Sequence, residues 1–99
     1  HPANLVLPYC QAAMVTRSLE NAVFSITANR TGSEATSHQS LNFTGNSQII
    51  GPKGEKLASA SEAETCLKIV AVNPEQAHDK FFTPRNNLFI DHRPDAYSL

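Results

Sequence analysis

The sequence predicts an α/β (α+β) fold, a small sheet with helices packed outside it. Three observations predict it. Residues 11–22 carry apolar side chains at helical spacing. Residues 23–29 and 42–50 alternate apolar with small polar side chains, the period of a strand. Between 42–50 and 56–60 lies Gly51-Pro52-Lys53-Gly54, a tight-turn signature that makes those two strands a hairpin.

Taken in order, residues 1–9 are apolar with Pro2 and Pro8 and predict a strand end running into a loop. In 11–22, Ala12, Val15, Leu19 and Ala22 recur at i, i+3, i+7 and i+10, one face of a helix, and Gln11, Arg17, Ser18 and Asn21 fall off it. Arg17 and Glu20 are three apart and can pair on the helix surface. In 23–29, Phe24, Ile26 and Ala28 oppose Ser25 and Thr27. Residues 31–41 are small and polar and predict a loop. In 42–50, Phe43, Gly45, Ser47 and Ile49 share a face. After a polar turn at 61–64, residues 66–72 alternate again and predict a further strand, with Cys66 as a core residue. Asn73 is placed to cap a helix that has Pro74 in its first position and Gln76 where a capping box would close, running to about Lys80. From Phe81 onward Pro84, Asn86, Asn87 and Pro94 predict an irregular tail. Its aromatic and aliphatic residues predict that it lies against another surface.

Composition limits what such a chain does. Ninety-nine residues make one domain or part of one, and 40% hydrophobic with 17% charged residues is ordinary for a folded chain. A net charge of −1 without a basic stripe gives no electrostatic support for nucleic acid or an anionic membrane. No apolar run approaches the roughly 20 residues that span a bilayer, and no secretory leader is visible. A start without Met suggests a chain cut from something longer. The two cysteines, Cys10 and Cys66, make no framework and no C-x-x-C pair, which fits reduced thiols and a cytoplasmic protein.

The reactive residue types form no complete constellation. Cys10 precedes the first helix, where a thiol can be acidified, but no His, Lys or Glu lies close in sequence. It is read as a small apolar residue at a loop-to-helix junction. His1, His38, His78 and His92 are scattered without metal-ligand spacing. No G-x-S-x-G elbow occurs, and Pro52 with no following helix excludes a phosphate loop at 51–56. No metal or cofactor is expected.

An ordered series of short segments goes further. It comprises His1-Pro2-Ala3-Asn4, Arg17-Ser18-Leu19-Glu20-Asn21, Ala28-Asn29-Arg30-Thr31-Gly32, the stretch from Phe43 through Gly45, Ser47, Ile49 and Ile50 to Pro52 and Gly54, and Asp91-His92-Arg93-Pro94. Together they resemble the C-terminal half of the nitrilase, or carbon–nitrogen hydrolase, superfamily. The resemblance implies half of a four-layer α-β-β-α sandwich, with residues 1–99 the C-terminal portion of one hydrolase domain and 81–99 an extended tail. It implies hydrolysis of a non-peptide C–N bond in a small amide, nitrile or carbamoyl compound through a Cys thioester, without cofactor. The family's Glu, Lys and Cys lie upstream of the matched stretch, so this chain needs the missing N-terminal half. A non-catalytic truncated homologue serving as an interaction module is the alternative. By resemblance, Asn4 lies beside the substrate pocket with Pro2, Ala3 and Leu5 as neighbours, and an Asn offers both donor and acceptor to an amide. The other reading of Asn4 is a loop cap. Arg17, Glu20, Asn21, Asn29, Gly32, Gly45 and Ser47 match structural positions, and Ser18 stands where Ala is common. The family usually dimerises through helices flanking its sheet, so residues 11–22 are interface candidates and a homo-oligomer is expected.

Overall fold

The computed structural model describes residues 8–96, and its body is one helix laid on a three-stranded antiparallel sheet. Helix α1 spans Tyr9–Asn21. Its first turn has no side-chain cap, Pro8 standing before it. It ends through Ala22 in the left-handed region (φ 50°), with the Ala22 and Val23 amides donating back to the Leu19 and Ser18 carbonyls. The buried stripe is Cys10, Ser18 and Ala22, with Met14 half-buried between them. This corrects the expected face, because Ala12 and Leu19 are exposed and Ser18 is fully enclosed. The reason is the surface beneath, where the Ser18 hydroxyl shares a 2.6 Å hydrogen bond with that of Ser25.

The sheet consists of β1 (Ser25–Thr27), β4 (Gln48–Ile50) and β5 (Lys56–Ser59) in the order β1-β4-β5, with β2 and β3 set apart as a hairpin described next. Ile26 opposes Ile49 and Ile49 opposes Ala58. One face, carrying Thr27, Gln48 and Ile50, is buried toward α1. The other carries Ile26, Ile49 and Ala58, and Ile26 is 77% exposed. So the apolar face predicted in 23–29 points away from the helix. Strand β4 is also shorter than the alternation over 42–50 implied. Gly45 and Asn46 both take positive φ (56° and 55°), which ends extended structure before Ser47. The Gly51–Gly54 turn forms as expected, Gly54 donating to the Gly51 carbonyl at 3.0 Å, with Pro52 buried.

Three further expectations are corrected. Residues 31–41, expected as a loop, contain a hairpin of β2 (Ser33–Ala35) and β3 (Ser40–Asn42). The Thr36 hydroxyl, accepting from the His38 and Gln39 amides, turns the chain without any apolar pattern. Residues 66–72 form no strand, and Cys66, Leu67 and Ile69 are exposed. Alternation makes a strand only where a ladder partner is offered, and none is offered here. The second helix is a single 3-10 stretch, Pro74–His78, capped by the Asn73 side chain accepting from the Glu75 amide at 3.1 Å. The tail is more regular than expected. It holds a short hairpin of β6 (Phe81–Thr83) and β7 (Asn86–Asn87) and a 3-10 turn at Pro94–Ala96.

Candidate functional site

Where β1 ends and β4 begins, a polar seam ties the sheet to the start of α1. The Gly45 amide donates to the Arg30 carbonyl at 2.9 Å. The Gly45 carbonyl in turn accepts from Asn29 Nδ2 at 2.9 Å and from Gln11 Nε2 at 3.5 Å. Asn29 Nδ2 also donates to Thr44 Oγ1 at 2.9 Å, and the Asn29 amide donates to Ser47 Oγ at 2.8 Å. Gln48, buried, donates from Nε2 to the Gln11 carbonyl at 2.9 Å. The structure therefore brings together Asn29, Gly45 and Ser47 from the expected motif set. It adds Gln11, Thr44 and Gln48, which sequence reasoning missed. The signal for Gln48 was its place opposite Ile49 in an alternating strand, a polar residue on the helix-facing side.

Glycine is required at 45. A Cβ there would lie 2.5 Å from the Glu62 carbonyl oxygen and 3.0 Å from that of Ser61, because residues 61–62 cross directly over it. The seam carries no ionisable group, and no buried side-chain nitrogen or oxygen among the described residues lacks a hydrogen bond. Its chemistry is positioning. It fixes the chain at Gln11, shortly after the Pro2–Leu5 stretch, which lies outside the described residues together with Ala3 and Asn4.

The other motif residues sit elsewhere. Arg17 and Glu20 form an exposed ion pair at 2.7 Å, and Asn21 Nδ2 donates to the Arg17 carbonyl at 2.9 Å, closing the last turn of α1. Gly32 (φ 85°) leads into β2, and its carbonyl accepts from Phe43. Arg30 pairs with Glu34 and lays its guanidinium 4.3 Å from the Phe43 ring centroid. Arg93 holds Asp95 through two hydrogen bonds, at 3.2 and 3.1 Å, and keeps that carboxyl below its ordinary pKa.

Across the outward sheet face runs an open groove of about 470 Å³, floored by Ile26, Ile49 and Ala58 and walled by residues 64–68. Glu64 stands on that wall. The Ser61 amide foremost, then the Lys68 ammonium, hold its carboxyl below the ordinary value. Both cysteines are free. Cys10 is buried against the sheet side of α1, as the sequence implied, whereas Cys66 is exposed on the groove wall. Among the described residues no cluster of three or more His, Cys, Asp or Glu is placed to hold a metal. Nor is any helix among the described residues long and apolar enough to cross a membrane.

A helix packed on one face of a small antiparallel sheet, with an apolar groove across the other face, makes this a mixed α/β fold. Known proteins show the family. The carbon-nitrogen hydrolase family model matches residues 1–79. A protein called nitrilase from Pyrococcus abyssi is 40% identical over 97 residues, covering 98% of this chain. The crystal structure of a carbon-nitrogen hydrolase from Helicobacter pylori G27 is 31% identical, covers 57% of this chain and 22% of its own, and superposes with a TM-score of 0.48. The chain belongs to the carbon-nitrogen hydrolase family. It spans 36% of the length of the Pyrococcus relative.

Proposed function

We propose that residues 1–99 are the C-terminal portion of a hydrolase domain, and that the full-length protein cleaves a non-peptide C–N bond in a small amide, nitrile or carbamoyl compound. The observation that carries this reading is the family match over residues 1–79, supported by 40% identity to a protein called nitrilase. In the proposed reaction on an amide, a Cys thiolate adds to the carbonyl carbon. The C–N bond breaks, ammonia leaves with a proton delivered by a Glu, and a thioester remains. Water, deprotonated by the same Glu, then releases the acid. A Lys stabilises the oxyanion in both steps. These three groups belong to polypeptide upstream of this chain, and the reaction uses no metal or cofactor.

Four roles fall to this chain. Asn4 contacts the substrate amide, with Pro2, Ala3 and Leu5 shaping the pocket beside it. The seam at Asn29, Gly45 and Ser47 holds the end of α1 that follows those residues. The outward face with Ile26, Ile49 and Ala58 receives a second sheet, which would complete an α-β-β-α sandwich. α1 also offers a surface for a homo-oligomer, and the protein is proposed to be cytoplasmic.

Ammonia release from a panel of small aliphatic amides, nitriles and carbamoyl compounds tests the reading. The full-length protein should turn over at least one class, as an oligomer by sedimentation, and Asn4→Ala should raise KM about tenfold. The 99-residue chain alone should release no ammonia. A folded full-length protein inactive on the whole panel would leave the non-catalytic interaction module standing instead.

A further inference from the structure

Lys80 sits where the helix, the tail hairpin and the turn before it meet. The left-handed Ala22 ends α1, and no basic side chain occupies the helix's own last turn. The Ala22 and Val23 amides and the Asn21 side chain meet the Leu19, Ser18 and Arg17 carbonyls, which leaves those of Asn21 and Ala22 for a partner from outside, at the end where the helix dipole is negative. Lys80 supplies it from 58 and 59 residues away. Its ammonium donates to the Ala22 carbonyl at 2.8 Å and to the Asn21 carbonyl at 3.0 Å. The same residue closes the tail hairpin. Its carbonyl accepts from the Leu88 amide at 2.9 Å, and its ammonium lies 5.8 Å from the Phe89 ring centroid.

A second ammonium holds only the tail side. Lys53, in the turn between β4 and β5, donates to the Phe81 carbonyl at 3.4 Å and pairs with Asp79 at 3.6 Å. Within the segment, bonds are local. Asp79 and Asn87 side chains accept from the Phe81, Phe89 and Ile90 amides, and Asp91 accepts from Asn87. Phe81, Phe82, Phe89 and Ile90 are exposed, so little apolar burial fastens the segment to the body.

We propose that residues 79–91 form a strap and that Lys80 is its clasp, so that the strap and the last turn of α1 open and close as one unit. Hydrogen bonds from an ammonium are the strong ones in this junction. When that ammonium withdraws, the helix end loses its partner at the same moment as the strap loses its anchor. Lys53 strengthens closure but does not couple it to the helix.

Hydrogen–deuterium exchange on the full-length protein tests this. Lys80→Met should speed exchange about tenfold or more at Ala22 and Val23 and, together with them, at Leu88. Lys80→Arg, which keeps a charged donor, should retain most of the protection. Lys53→Met should loosen the strap amides and leave Ala22 and Val23 as they were. Faster exchange in the strap alone after Lys80→Met, or in neither region, overturns the proposal. If that variant does not fold, the wild type decides in sub-denaturing urea. The Ala22, Val23 and Leu88 amides should share one opening free energy and one urea dependence, and divergent values would overturn the coupling.

Discussion

Replacing Gly45 with alanine separates the two reasons a glycine stands at the centre of the seam. The first is conformational. At φ 56° an alanine is held in the left-handed region, which costs about 1–2 kcal/mol. The second is the crossing of residues 61–62. The new Cβ would sit 2.5 Å from the Glu62 oxygen, 2.9 Å from the Glu62 carbonyl carbon and 3.0 Å from the Ser61 oxygen. These are backbone atoms and cannot rotate aside, so the crossing segment must retreat. Retreat breaks the Asn46 amide bond to the Ser61 carbonyl at 3.3 Å and loosens the Gly45 bonds to Arg30 and Asn29, each worth about 1 kcal/mol net. The expected total is about 2–5 kcal/mol, a large part of the roughly 5–15 kcal/mol that a domain has. Gly32→Ala is the control. Its φ is 85°, but no atom lies within 4 Å of the added carbon, so only the conformational cost applies. Urea unfolding of the two variants in the full-length protein should differ by about 1 kcal/mol or more, Gly45→Ala being the weaker. Equal losses, within about 0.5 kcal/mol, would refute the crossing as the reason for the glycine.

Two other perturbations follow from the same contacts. Ser18→Ala removes the partner of the Ser25 hydroxyl at a fully enclosed position and should lower stability by about 1–2 kcal/mol in thermal melts. Adding Ser25→Ala should recover part of that, and a neutral single variant would count against the pair. Glu64 has a folded pKa below its ordinary 4.5, so its contribution is complete above that value and is lost as pH falls through the lowered one. The protection of residues 61–68 against exchange, corrected for the intrinsic pH dependence of amide exchange, should therefore fall as the solution is acidified below pH 4.5, modestly because the group is screened by solvent, and Glu64→Gln should abolish that acid dependence.

What the sequence disclosed and what it hid divide along a physical line. The Gly51–Gly54 turn, the Asn73 cap and the existence of α1 were legible because each is decided by a few adjacent residues. The face that α1 buries was not legible, because the sheet beneath it presents Ser25, Thr27 and Gln48, and hydrogen bonding rather than apolar matching chose Ser18 over Leu19. Asn29, Gly45 and Ser47 were recognisable as a motif. Their geometry was not, since it depends on two consecutive positive φ angles and on a distant segment crossing over position 45. The alternation at 23–29 forms a strand only at Ser25–Thr27 and that at 66–72 forms none, and Ile26, Leu67 and Ile69 stand 77%, 83% and 84% exposed. Full burial of such a side chain is worth about 1.5–3 kcal/mol, so the three together forgo several kcal/mol on a domain's narrow margin. A side chain patterned for burial and then left bare fits a face that takes a partner. Of the three only Ile26 lies on the sheet, on the face proposed to receive a second sheet, and its exposure there is the physical support for that proposal.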